Sequence, residues 1–331
     1  MRVLIALGGN AMTAPDGSAT PEAQRDAVRV AAPAIADIVA HGHQVVITHG
    51  NGPQVGNLLV KNELAAHVVP PVPLDWCGAQ TQGTLGALLL DALGDELAAR
   101  GLPRTVAALV SRTLVDAEDP AFTHPSKPIG RYLPAAEAAA LIRHGQFWQD
   151  RGERGWRRIV ASPEPLEVLD APAAHALLDA GFVVACAGGG GIPRVAGTDP
   201  AGRRVLTGVQ AVIDKDLTAA VLARDLAVDV LVIATDVEHA VIGWNTPAAR
   251  PLTAVTPVEL REHLAAGQFA GGSMGPKVEA VCRFVEATGR RAAITSLARI
   301  AGAVGGTAGT VVTPSSPREP SPREPVPDRE R

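Results

Sequence analysis

A chain of 331 residues is long enough for one large or two modest domains, and its 47% hydrophobic and 19% charged residues indicate a globular protein. A formal net charge of -4 and a pI near 6.1 argue against a general nucleic-acid binder, which needs a basic surface. No apolar run approaches the roughly 20 residues of a membrane span, and the first residues turn at glycines instead of forming a cleavage segment. We therefore expect a soluble, cytoplasmic protein with neither nucleic acid nor membrane as a partner.

The three cysteines are odd in number and far apart, at Cys77, Cys186 and Cys282. This spacing fits neither a disulfide framework nor a zinc site, so we expect no protein-bound metal centre of this kind. Cys186 follows the run GFVVA and is interpreted as a buried small hydrophobe. A catalytic thiol is the alternative, although no histidine or asparagine is placed to suggest a dyad.

The first predicted strand, RVLIAL, is a buried apolar run that ends at three small residues, Gly8, Gly9 and Asn10. Glycine permits concave backbone whose amides can face an anion, but the same residues are also typical of a plain turn. Helical spacing of apolar residues predicts a helix from Pro21 to Ala40.

The second predicted strand, 44–50, leads into a loop formed by Gly50, Asn51 and Gly52. Pro53 follows where a helix would begin, since its missing amide is harmless in the first turn. Two successive strands thus end in Gly/Asn loops, and ligands of open parallel sheets bind beyond the carboxyl ends of strands. His49 could be a ligand or base, or a packed histidine, and Lys61 is interpreted as surface charge.

A loop is predicted over Pro73 to Gly83, then a helix from Gln82 to Arg100 and a third strand from Thr105 to Arg112. From Asp116 to about Glu167 the composition shifts to prolines and polar runs such as QDRGERGWRR, which indicates an inserted subdomain or lid. Within it, the prolines of PSKPIG stiffen Lys127, which could reach over a substrate.

Lysine is scarce in this chain, and Lys215 stands between two aspartates in VIDKDL, just where a helical pattern begins. An ammonium is a compact charge suited to phosphate oxygens, so a phosphate site can require lysine where a surface would accept arginine. A solvated helix residue flanked by counter-ions is the alternative. The preceding strand ends in four glycines, 188–191, that match neither the GxGxxG fingerprint nor a Walker loop.

The remaining predicted elements are strands over Asp229–Asp236, Arg291–Ser296 and Gly309–Val312, and a helix over Pro257–Phe269. A further helix begins near Pro276 and carries Lys277 in its first turn. The last segment, 314–331, repeats SPREP twice and has no apolar periodicity, so we expect it to be disordered.

The order of nine motifs closely resembles carbamate kinase, within the amino acid kinase superfamily. The motifs are ALGGNA, THGNGPQVG, PLDWCGAQTQG, PSKPIG, ACAGGGGIP, GVQAVIDKDL, ATDV, GSMGPKVEA and AITSL. The resemblance spans residues 1 to about 312 and implies an α/β fold: a three-layer αβα sandwich around a mainly parallel eight-stranded central sheet, with a small protruding subdomain and usually a homodimer. It also implies an amino-terminal half, 1–211, that holds carbamate or carbamoyl phosphate and a nucleotide-binding half, 212–313.

Residue roles follow from the same resemblance. Lys127 resembles the family's mobile lysine, which reaches the transferred group, whereas Lys215 and Lys277 resemble the pair that contacts the phosphates, with Asp216 holding them. The loops that would surround the substrate phosphate are Gly8, Gly9 and Asn10 together with Gly50, Asn51 and Gly52. The nucleotide-side positions are Thr235, Asp236, Ser273 and Met274. Trp76 and Glu238-His239 depart from the family pattern and could alter packing or nucleotide preference.

The implied reaction is reversible phosphoryl transfer between ATP and carbamate, giving ADP and carbamoyl phosphate. Carbamate is already an anionic nucleophile, so lysines and glycine amides that neutralise charge would suffice, with Mg²⁺ bound with ATP or ADP and bridging the phosphates. Two alternatives stay open: another acid kinase of the superfamily that phosphorylates a small carboxylate, and a non-catalytic sensor of carbamoyl phosphate or nucleotide. A Rossmann dehydrogenase is disfavoured because the fingerprint is missing.

Overall fold

The computed structural model describes residues 1–8, 20–269 and 274–315. Across these ranges there are nine α-helices: α1 (Pro21–Ala40), α2 (Gly52–Ala65), α3 (Leu74–Ala99), α4 (Ala135–Arg143), α5 (Ala171–Asp179), α6 (Lys215–Asp225), α7 (Pro257–Ala265), α8 (Met274–Thr288) and α9 (Ile300–Gly305). None of the described helices is both long and apolar enough to span a bilayer. The disorder expected for 314–331 falls almost wholly outside the described residues.

Seventeen β-strands accompany the helices in the described part of the chain: β1 (Arg2–Leu7), β2 (Gln44–His49), β3 (Val106–Ala108), β4 (Arg112–Leu114), β5 (Lys127–Leu133), β6 (Phe147–Asp150), β7 (Trp156–Val160), β8 (Glu167–Val168), β9 (Val183–Ala185), β10 (Ile192–Thr198), β11 (Arg204–Gly208), β12 (Val230–Thr235), β13 (Val241–Ile242), β14 (Arg250–Pro251), β15 (Ala254–Val255), β16 (Arg291–Ser296) and β17 (Thr310–Val312).

Eight of these strands form the central sheet in the order β15-β17-β16-β12-β1-β2-β9-β3. Every neighbouring pair is parallel except β16 and β17. The strand β1 lies in the middle, where Leu7 pairs with His49 of β2 on one side and with Ala234 of β12 on the other. The ends of β1, β2 and β12 therefore meet at one edge, which is where open parallel sheets bind ligands.

Helices cover both faces of the sheet, as the side chains of β1 show. Leu4 and Ala6 belong to a core shared with α5, α6 and α8, whereas Val3, Ile5 and Leu7 belong to a second core shared with α1 and α3. All five side chains are fully buried, and burial of a side chain such as leucine or isoleucine contributes about 1.5–3 kcal/mol. The apolar run of β1 is continuous because both of its faces are covered. The predicted three-layer αβα sandwich is confirmed.

Two local predictions are wrong. The segment predicted as a loop, Pro73 to Gly83, is the beginning of α3, which starts at Leu74 with Pro73 as its N-cap residue. Its glycines and polar residues suggested a loop, but buried Cys77 and Thr81 anchor this turn of helix in the interior. The tertiary contacts of these side chains outweigh the low helix propensity of glycine.

The predicted strand from Thr105 to Arg112 is divided into β3 and β4, which belong to different sheets. The break lies at Ser111, whose amide donates to Oε1 of Gln82 at 2.7 Å instead of to a neighbouring strand. β4 then pairs with β10 and β8 in a four-stranded sheet.

A three-stranded antiparallel sheet, in the order β5-β7-β6, lies within the segment predicted as an insertion. It has a small core of its own, formed by Leu133, Ala138 and Trp148. We call it the protruding sheet. Its strand β5 lies close against α2, since a Cβ on Gly56 would be 3.2 Å from the Cα of Gly130. This close approach fixes where Lys127, the first residue of β5, is presented.

Candidate active site

The candidate site begins where β1, β2 and β12 end. The Gly8 amide donates to the carbonyl of Ala234 at 2.9 Å, and the Gly50 amide donates to the carbonyl of Leu7 at 3.0 Å. Both amides are therefore already used in the hydrogen bonding of the sheet, and a phosphate at this edge would have to bind other groups. Gly52 begins α2, whose first-turn amides lack intrahelical acceptors. The predicted residues Gly9 and Asn10 lie outside the described residues.

The run of four glycines lets the backbone approach this edge closely. Gly189 has φ +67°, and a Cβ there would collide with the side-chain amide of Asn51, while a Cβ on Gly188 would collide with the ring of His49. Asn51 is 6% exposed and donates from Nδ2 to Oγ1 of Thr81 at 2.9 Å. The second predicted loop is therefore a packed and oriented structure.

His49 is a packed histidine. It is 3% exposed, and its Nδ1 lies 3.1 Å from the carbonyl oxygen of Gly50. Burial lowers the pKa of His49 to about 4, and the nearby charge of Lys215 acts in the same direction. The ring is neutral at pH 7, which agrees with the packed alternative raised by the sequence.

Two lysines meet one buried carboxylate at the beginning of α6. Asp216 is 3% exposed, and its Oδ1 is paired with Nζ of Lys215 while Oδ2 is 3.3 Å from Nζ of Lys277. Lys277 comes from the first turn of α8, which packs against α6. Burial lowers the pKa of Lys277 even though Asp216 favours its charged form. One carboxylate thus aligns two ammonium groups from two helices.

Lys127 of the protruding sheet joins this cluster through a different aspartate. Its Nζ lies 3.0 Å from Oδ2 of Asp214 and donates to the carbonyl of Ile213 at 3.3 Å. Asp214 is also the N-cap residue of α6, where its Oδ1 accepts the amides of Asp216 at 2.9 Å and Leu217 at 3.3 Å. Burial would raise the pKa of Asp214, but Lys127 and then Lys215 outweigh it and lower that pKa to about 2.

Three ammonium groups and two carboxylates therefore share one end of α6, whose dipole is positive there. The excess of positive charge, together with the helix end, suits an anion such as a phosphoryl group. The sequence singled out all three lysines and Asp216, and the structure brings these four side chains together. The role of Asp214 was missed, although an aspartate directly before a helical pattern is a common N-cap signal.

The predicted nucleotide-side residues lie on the neighbouring elements. Thr235 ends β12, and its Oγ1 donates to Oδ1 of the exposed Asp236 at 3.0 Å. Met274 begins the same helix that carries Lys277 in its first turn. Ser273 lies outside the described residues.

Of the residues that depart from the family pattern, Trp76 and Glu238 are exposed, whereas His239 is half-buried. Trp76 is 57% exposed on the first turn of α3, and Glu238 pairs with Arg299 at 3.1 Å. Neither Trp76 nor Glu238 takes part in the ion pairs that join the three lysines to Asp214 and Asp216. Among the described residues, no group of three or more His, Cys, Asp or Glu side chains is arranged to hold a metal ion.

Comparisons with known proteins agree with this architecture. The model of the amino acid kinase family matches residues 1–296. A carbamate kinase of Thermococcus kodakarensis is 44% identical over 317 residues, which cover 94% of this chain and 98% of that protein. A carbamate kinase of Rhizobium meliloti is 45% identical, covering 95% of this chain and 94% of that protein.

Solved structures lead to the same group. Carbamate kinase from Giardia lamblia bound to AMP-PNP superposes with a TM-score of 0.87 and is 40% identical, with 95% of this chain and 98% of that chain covered. A protein of Aeropyrum pernix K1 has a TM-score of 0.89 and is 41% identical, with 95% of this chain and all of that chain covered. The chain belongs to the amino acid kinase family and, within it, to the carbamate kinases.

Proposed function

We propose that this protein is a phosphotransferase that catalyses reversible transfer of a phosphoryl group between ATP and carbamate. The observation that carries the proposal is the convergence of Lys127, Lys215 and Lys277 on the amino-terminal end of α6. Such a cluster matches the chemical need of the reaction, which brings two anions together and moves negative charge between them. The relatives named carbamate kinase over nearly the whole chain support the choice of substrate.

In the forward direction a carbamate oxygen attacks the γ-phosphorus, the bond from that phosphorus to the β,γ-bridging oxygen breaks, and ADP leaves with the electron pair. Lys215 and Lys277 would neutralise the charge on the transferred group, with Asp216 fixing their separation. Lys127 would exchange its contact with Asp214 for the carbamoyl or phosphoryl oxygens. No proton has to be removed from carbamate, so the neutral, buried His49 is not required as a base.

The two substrates would approach from opposite sides of this cluster. We place carbamate or carbamoyl phosphate beside the ends of β1 and β2, within residues 1–211, and the nucleotide beside the end of β12 and the start of α8, within 212–313. The topology supports this division, because β1 has β2 on one side and β12 on the other. Thr235, Asp236 and Met274 would then face the nucleotide.

Magnesium bound with ATP or ADP would supply further positive charge to offset the negative charge of the phosphates. The donor chemistry of the cluster fits this arrangement: Asp216 contacts lysines with both carboxylate oxygens, and Asp214 binds Lys127 with one and α6 amides with the other. Phosphate oxygens would therefore be its main ligands, and Asp214 is the carboxylate that could turn to it once Lys127 has moved to the substrate.

We further propose that the enzyme works in the cytoplasm as a homodimer and makes ATP from carbamoyl phosphate in arginine metabolism. The support for these finer points is the kinship with carbamate kinases. Size-exclusion chromatography with light scattering would test the dimer, since a single species of about twice 34.1 kDa is expected. A monomer at micromolar concentration would contradict it.

The substrate assignment can be tested by following ATP formation from ADP and Mg²⁺ with either carbamoyl phosphate or acetyl phosphate. We expect rapid ATP formation with carbamoyl phosphate and a much lower rate with acetyl phosphate. Preference for acetyl phosphate would favour a carboxylate kinase, and binding of carbamoyl phosphate without ATP formation would favour a sensor. Either result would overturn the proposal.

A further inference from the structure

A cavity of about 530 Å³ lies between the protruding sheet and the main body, and the phosphoryl-transfer chemistry does not use it. One wall is formed by residues of the predicted insertion, 116–167, and includes Phe122, Pro125 and Arg158. The other wall belongs to the main body and includes Leu74 and Val195. The volume falls in the range of about 300–1,000 Å³ that is typical of small-molecule sites. Such sites combine mostly apolar walls with a few polar groups.

Arg158 is the only charged residue that lines this cavity in the described part of the chain. It is half-buried on β7, and among the described residues its guanidinium makes no hydrogen bond and has no carboxylate within 4 Å. Burial lowers the pKa of Arg158, with Glu63 opposing that effect, but a guanidinium stays charged at neutral pH. Glu63 attracts this partly desolvated cation without pairing with it directly, so an anion in the cavity that binds the guanidinium would stabilise it.

Two glutamines add hydrogen-bond donors beside this charge. Gln210 uses its Oε1 to accept the amide of Leu74 at 3.1 Å, and Gln146 uses its Oε1 to accept Nε1 of Trp148 at 3.0 Å. Both side chains line the cavity, and these bonds leave the amide nitrogen of each for another acceptor. One cation, two amide donors and apolar walls fit a monoanion with an apolar body better than a multiply charged phosphate.

We propose that this cavity binds a small organic carboxylate with an apolar body, its carboxylate on Arg158 and its apolar part between the two walls. The guanidinium offers the paired N–H groups that match a carboxylate. Because β7 pairs with β5, the strand that begins with Lys127, an occupant that joins the two walls holds the protruding sheet against the body. Occupancy therefore changes the rate of the phosphoryl transfer proposed above, whereas binding itself does not depend on that function.

Isothermal titration with octanoate tests the site, with octanamide as the neutral analogue. We expect saturable octanoate binding to the wild-type protein, and binding at least tenfold weaker for octanamide and for the Arg158→Gln variant. The matched control is Arg157→Gln, because Arg157 does not line the cavity and lies over the ring of Tyr132 at 5.1 Å from its centroid. This control should bind octanoate as the wild type does.

A second variant tests the cavity independently of any folding defect in Arg158→Gln. Ala117 is exposed at the cavity wall, so Ala117→Phe should fill the space, keep Arg158, and also weaken octanoate binding at least tenfold. Absence of saturable binding to the wild type, or wild-type affinity for octanoate in both cavity variants, would overturn the proposed site. If saturating octanoate leaves the wild-type turnover rate unchanged, the proposed effect on rate is wrong. ATP formation measured without octanoate tests the proposed function separately.

Discussion

The buried His49 makes the stability of the fold depend on pH in a predictable way. Its pKa is about 4 in the folded protein, against 6.5 for the unperturbed ring that represents the unfolded chain. Between these values the unfolded state binds more protons, so folding stability falls as pH decreases from 6.5 towards 4. For these two pKa values, linkage gives a loss of about 2 kcal/mol between pH 7.5 and pH 5 from this one side chain.

Urea unfolding at pH 7.5 and pH 5 measures this loss directly. Other groups also titrate in this range, so the informative quantity is the difference between the wild type and His49→Gln, whose glutamine cannot take up a proton. We expect the wild type to lose about 2 kcal/mol more than the variant over this interval. The control is His67→Gln, at an exposed position, which should lose as much as the wild type. Equal losses for the wild type and His49→Gln would refute the reasoning.

Three further substitutions test individual features of the site. Lys277→Ala should lower kcat by about 10²–10³-fold with unchanged circular dichroism, because a preorganised charge is lost. The control variant Lys61→Ala, at an exposed position, should keep the wild-type kcat, and a wild-type kcat for Lys277→Ala would contradict its role. Asp214→Asn keeps an equally good N-cap for α6 but removes the ion pair with Lys127, so the KM for carbamoyl phosphate should fall severalfold while Tm stays unchanged. A higher KM would contradict the idea that Asp214 competes with the substrate for Lys127. Gly189→Ala should reduce the free energy of unfolding by about 2–4 kcal/mol, since its φ is +67° and its Cβ would strike a buried amide. The exposed helical Gly83→Ala should instead stabilise by about 0.5–1 kcal/mol, and similar behaviour of the two variants in urea would contradict the packing argument.

Much of the sheet could be predicted from the sequence because its strands are buried on both faces. RVLIAL and RAAITS correspond to β1 and β16 residue by residue, since a continuous apolar run between polar or glycine residues has few other solutions. The start of α3 was not predictable in this way. Its glycines suggest a loop, and only the burial of side chains such as Cys77, which depends on distant elements, makes the segment helical.

The site residues were predictable where chemistry restricts the choice of side chain. In an arginine-rich chain, Lys215 beside an aspartate at a helix start predicts a charge with a special role. The partners of these charges could not be predicted. That Asp216 joins Lys215 to Lys277, and that Asp214 joins Lys127 to the same helix end, depends on the packing of α6 against α8 and on the path of β5.

The central claim is that the protein transfers a phosphoryl group from carbamoyl phosphate to ADP, and that the lysines at the start of α6 and α8 neutralise its charge during the transfer. The most direct measurement is the steady-state rate of ATP formation from carbamoyl phosphate, ADP and Mg²⁺ by the wild type and by Lys215→Ala, with folding of both checked by circular dichroism. We predict rapid ATP formation by the wild type and a kcat at least about 10²-fold lower for the folded variant. A folded wild type that forms no ATP, or a variant with wild-type kcat, would contradict the account.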